Sequence, residues 1–112
     1  MTISLQDVRE MSFLQTTKSR KWFANNVYQI WRFRKLFGLQ QETKDVGEKT
    51  RLEGKIKHLH NKINDLAIQG KLLGLNDEKI RSINQLIVER IKKGDRPEII
   101  IQQFIPRKSQ NN

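Results

Sequence analysis

Leu52, Ile56, Leu59, Ile63 and Leu66 alternate four and three residues apart, and Leu73 keeps the register. That spacing sets one apolar stripe along an α-helix and is incompatible with the two-residue alternation of a half-buried strand. The segment from about Glu48 to Gln69 is therefore predicted to be a helix with a seam three heptads long. A seam this short is weak as a free coiled coil, so its expected partner is another helix of the same chain. Gly54, inside the seam, costs about 1 kcal/mol relative to alanine, which suggests that a neighbouring helix comes close there.

The other segments read as helices too. Ser4 to Asp7 has the form of a helix start, with Leu5, Val8 and Met11 on one edge. Thr16 and Thr17 are placed to cap a second helix over Lys18 to Phe37, with Gly38 as its expected stop. Phe23, Val27, Ile30 and Phe37 form its core stripe. Trp22, Phe33 and Leu36 lie partly off that stripe, with Trp31 beside it, so the apolar surface is wider than a simple surface helix needs. Both tryptophans are expected in the core, with stacking of Trp22 or Trp31 on a base, or a place at a protein interface, as the alternatives.

Gln40 to Gly47 is predicted as the main loop, and Gly70 and Gly74 bracket a short link. Asn76 caps the next helix, whose stripe is Ile80, Ile83, Ile87 and Ile91 and whose stop is Gly94; it is expected to fold back on the seam helix. Asp95, Pro97 and Glu98 then start a short helix that runs through Phe104. The predicted fold is all-α, a compact bundle of four to five helices with a central antiparallel helical hairpin. Residues 1–106 form one domain, and 107–112 are an expected disordered polar tail.

Catalysis finds no candidate residues. The chain has no cysteine, no glycine-rich phosphate loop and no recognisable pairing of acids or activated serine. His58 and His60 are two apart, and residues two apart on a helix do not share a face. The sequence therefore predicts no enzyme, no metal and no cofactor. A helix-turn-helix reading of the glycine-containing link fails because Asp77 and Glu78 open the following helix where a recognition helix would meet phosphates.

Charge is the functional signal. Lysine and arginine outnumber the acids 22 to 12, a net charge of +10, and no acid occurs between Met11 and Gln41. Inside that run, Lys18 to Phe37 holds both tryptophans, the only tyrosine and three of the five phenylalanines. Aromatics interleaved with unbalanced positive charge suit phosphates and bases. Lys18, Arg20, Lys21, Arg32, Arg34 and Lys35 are the expected patch, joined by Lys55 and Lys62 from the seam helix.

Because the cations are spread over several helices, the expected activity is contact with nucleic-acid backbone largely independent of sequence, with RNA, a single strand or a heteroduplex favoured. By size, charge and helicity the chain resembles the small basic helical subunits of ribonucleoprotein machines, such as ribosome-associated proteins and CRISPR-effector small subunits. The resemblance implies nucleic acid and other protein subunits as partners, with homo-oligomers along the strand as a further arrangement. No membrane partner is expected, and the absence of a leader-like or long apolar segment suggests a cytoplasmic protein. The rival reading is a helical adaptor or inhibitor that docks on proteins through the aromatic helix and the heptad seam.

Overall fold

The structure is a computed structural model that describes residues 16–105. The expected helix at Ser4 and the tail at 107–112 lie outside the described residues. Within them the chain is an all-α bundle: α1 (Thr17–Glu42), α2 (Val46–Leu72), α3 (Asp77–Lys92) and α4 (Pro97–Phe104).

Local capping accounts for most helix ends. Thr16 accepts from the Ser19 backbone N–H at 3.1 Å, and Asn76 accepts from that of Lys79 at 2.8 Å, as their positions predict. Gly74 and Gly94 follow α2 and α3 with φ of +109° and +99°, the left-handed geometry that glycine adopts without strain.

Three expected ends move. Gly38 does not stop α1, which continues to Glu42. Thr43 ends it, its N–H and hydroxyl both donating to the Leu39 carbonyl, at 3.0 and 2.8 Å. Asp45 caps α2 by accepting from the N–H groups of Gly47 and Glu48, so the predicted eight-residue loop shrinks to Thr43–Asp45. At the last helix Arg96, not Asp95, is the cap residue, and it makes no side-chain capping bond.

Helix α1 is the centre of the bundle and touches all three others. It carries two apolar stripes, which explains its surplus of apolar surface. Trp22, Phe33 and Leu36 face α2: the Trp22 indole N–H donates to the Leu66 carbonyl at 2.6 Å, and Phe33 lies 6.1 Å from His60. Early residues of α1 thus meet late residues of α2, and the two helices run antiparallel along the seam. Phe23, Val27 and Ile30 serve the other side. There Phe104 of α4 stacks on Phe23 with centroids 4.9 Å apart, and Phe23, Val27, Ile83, Ile87, Ile100 and Phe104 are fully buried. Asn26, buried among them, donates from its side chain to that of Asn84 on α3.

The dominant antiparallel pair is therefore α1 with α2. Helix α3 meets α2 sparsely and lies along α1 instead. One reason is length: α1 and α2 span 26 and 27 residues, about 40 Å each, whereas α3 and α4 span 16 and 8. The short helices leave the distal end of the long pair, beyond about Lys35, uncovered, and the molecule is drawn out to 52 × 27 × 27 Å. Phe37, expected in the core, lies beyond that cover and is 44% exposed.

The close helix approach occurs at Gly70, not Gly54. Gly70 sits inside α2, and a Cβ there would come within 2.8 Å of the Trp22 ring and 3.1 Å of the Ile80 side chain. At Gly54 a Cβ would meet nothing within 4 Å. Alanine should thus act in opposite directions at the two sites. Gly54→Ala is expected to stabilise by up to about 1 kcal/mol through helix propensity, and Gly70→Ala to destabilise by about 1–3 kcal/mol through overpacking. Denaturant melts of the two variants would check the signs.

Candidate nucleic-acid interface

A groove runs between α1 and α2. Three hollows lie along it. The first is lined by Lys18, Lys21, Trp22, Asn25, Gln69, Leu72 and Leu73. Asn25 and Gln69 are shared with the second, which adds Gln29, Lys62, Asp65 and Leu66. Lys62 is shared in turn with the third and largest, about 670 Å³, between the distal halves of α1 and α2. Shared walls make the three one groove, and no residue of α3 or α4 lines it.

Heptad geometry produces this groove. On α2, Arg51, Lys55, His58, Lys62, Asp65, Gln69 and Leu72 repeat four and three apart. Each of the first five immediately precedes a seam residue (Leu52, Ile56, Leu59, Ile63, Leu66), so they form a second stripe flanking the seam. On α1, Lys18, Lys21, Asn25, Arg32, Lys35 and Leu39 share one face by the same rule. Two polar stripes on either side of a buried seam necessarily face each other across a groove.

Six of the eight predicted residues line the groove: Lys18, Lys21, Arg32, Lys35, Lys55 and Lys62. The other two do not. Arg34 lines an adjoining hollow that shares Trp31 and Lys35 with the distal one but is walled by Ile91, Lys92 and the turn before α4, and Arg20 is half-buried off the groove. A helix turns 100° per residue, so cations adjacent in sequence cannot all share one face. Arg51 is the groove cation that sequence reading missed; its heptad offset from Leu52 was the available signal. Its Nε donates to Glu48 at 2.9 Å, and that hydrogen bond holds the Glu48 carboxyl below its ordinary pKa and Arg51 above.

Electrostatically the groove is one-sided. Lysine or arginine occupies seven lining positions and a carboxylate one, Asp65. Among the described residues, Arg32, Lys35, Lys55 and Lys62 have no carboxylate within ion-pairing distance. Asp77 is held by Lys71 at 2.8 Å, outside the groove.

The distal hollow is the most apolar of the three and holds the more accessible tryptophan ring. Trp31, Leu36, Leu39 and Leu59 line it between the cations, and Gly54 leaves its wall open. The tryptophans thus part company: Trp22 is buried at 4% exposure, while Trp31 is half-buried with Lys35 Nζ 5.0 Å from its ring centroid.

The two histidines diverge as their spacing requires. His58 lines the groove and His60 meets Phe33 on the opposite flank. No group of three or more potential metal ligands comes together among the described residues, and none of their helices is long and apolar enough to cross a membrane.

No family model, curated protein or solved structure matches the chain. The functional reading therefore rests on the groove itself.

Proposed function

We propose that this protein binds nucleic-acid backbone without catalysis and largely without regard to sequence, taking an extended strand along the hairpin groove. The observation that carries this reading is the continuity of the groove together with its seven cations against one carboxylate. From Lys18 to Lys35 the cationic face of α1 runs about 26 Å at the helical rise per residue, long enough to track several successive phosphates. A backbone neutralised at several points releases its condensed counterions, which supplies affinity independent of base identity.

A role as a small basic subunit of a larger nucleoprotein complex fits the apolar surface that remains. Val46 at the start of α2 and Ile99 on α4, neither in the groove, are 78% and 44% exposed and would be covered in such a complex. The adaptor reading would dock through the aromatic helix, where Phe37 and Leu39 are exposed, and through the heptad seam.

Titration into labelled single-stranded RNA, single-stranded DNA and duplex DNA at two salt concentrations tests the proposal. Binding is expected at low salt, with log K falling by about 0.7 per phosphate contact for single strands as log salt rises. Failure to bind any of the three at low salt would overturn it and favour the adaptor.

A further inference from the structure

We infer that the distal hollow of the groove is a stacking site for an unpaired base, with the Trp31 indole as its platform. This rests on the proposed backbone-binding function and adds to it the class of strand that is selected. A groove that served phosphates alone would have a polar floor throughout. Here the middle hollow is mostly polar, with Asn25, Gln29, Lys62, Asp65 and Gln69, and the proximal one sets Trp22, Leu72 and Leu73 beside Lys18 and Lys21 but keeps Trp22 buried; the distal one sets Leu36, Leu39 and Leu59 around a partly exposed Trp31. Apolar walls with a half-open aromatic ring, ringed by cations, match the two halves of a nucleotide: a flat base and a charged phosphate.

Lys35 makes the pairing specific. Its ammonium lies 5.0 Å from the Trp31 centroid, a cation–π contact that holds charge and aromatic plane side by side. A base arriving on the indole displaces that ammonium, which then meets the phosphate of the same or the next nucleotide. The hollow's volume, about 670 Å³, is in the range of sites that enclose small organic groups. Bases inside a duplex are already stacked and cannot lie on the indole, so the site selects single strands.

The test is tryptophan fluorescence and affinity with an oligo-uridine strand and an abasic oligonucleotide of the same length. Trp22 is buried and hydrogen-bonded, so quenching reports Trp31. Oligo-uridine is expected to quench and to bind about tenfold or more tighter than the abasic strand, as base–aromatic stacking implies. Trp31→Ala should abolish the quench and bring oligo-uridine down to the abasic affinity, leaving abasic binding unchanged. Gly54→Phe, which projects a ring toward the hollow without altering charge from a position where a new Cβ meets nothing within 4 Å, should do the same.

Equal binding of the two strands by the wild type, or an unaltered preference in both variants, overturns the stacking site and leaves backbone binding standing. Absence of binding to either strand at low salt overturns both.

Discussion

Trp22→Ala is expected to cost about 3–5 kcal/mol, the range for emptying a large buried aromatic site, and to lower the melting temperature by roughly 15–30 °C for a domain of this size. Trp22 is the residue around which α1, α2 and α3 converge. Its ring fills the space that Gly70 leaves open beside Ile80, and its indole N–H donates to the Leu66 carbonyl. Removing it opens a cavity walled by rigid backbone, which cannot collapse as a side-chain pocket can. Trp22→Phe is expected to fall between, losing the hydrogen bond and part of the ring volume, at about 1–2 kcal/mol. Trp31→Ala, at a partly exposed site, should cost less than Trp22→Ala, about 1–2 kcal/mol. Chemical denaturation of the three variants checks the order, and equal losses at Trp22 and Trp31 would contradict the packing described.

Charge reversal along the groove is expected to have the largest effect on binding. Changing Arg32, Lys35 and Lys55 together to glutamate should weaken single-strand binding about a hundredfold or more, and reduce the slope of log K against log salt by about 2, three contacts at ~0.7 each. The control reverses Lys79, Arg81 and Lys93, exposed on or just after α3, so the net charge changes equally. That variant should lose only the small, diffuse part of the attraction. Arg34→Glu is expected to fall nearer the control, because Arg34 lines the adjoining hollow against the end of α3 and not the groove itself, despite its place between Arg32 and Lys35. If both triple variants lost affinity equally, the attraction would be a property of net charge and not of the groove. Circular dichroism on each variant confirms that helicity is kept.

The contact between Tyr28 and Glu98 has a smaller consequence. Tyr28 donates to Glu98 at 3.1 Å. The residue's own backbone N–H, first, and then the Tyr28 hydroxyl hold the Glu98 carboxyl below its ordinary pKa, while the same contact raises Tyr28. A depressed carboxyl pKa adds stability above the unfolded-state value and loses it as pH falls through the folded one. Tyr28→Phe should thus flatten the acid limb of the stability curve slightly and leave neutral binding unchanged. Melting curves between about pH 3 and 7 would show it.

What was legible in the residues alone was whatever a few neighbours decide. The heptad seam, the caps at Thr16 and Asn76 and the glycine stop at Gly94 each depend on hydrogen bonds or spacing within about a turn. They therefore appear where the sequence puts them. The acid-free, aromatic-rich stretch likewise marked out α1 as the helix that matters.

Only the tertiary structure settled which face of each helix meets which neighbour. Gly38 and Gly70 resemble helix stops locally, yet both remain inside helices: Gly38 because α1 runs on to its cap at Thr43, Gly70 because Trp22 needs the space a Cβ would fill. The split between Trp22 and Trp31, and the placing of Arg34 against the end of α3 instead of α2, follow from where α3 and α4 lie along α1 and how far they reach. Helix rotation assigns cations to faces, but the lengths and docking of other helices decide which face stays open. Those are long-range properties, and no window of adjacent residues contains them.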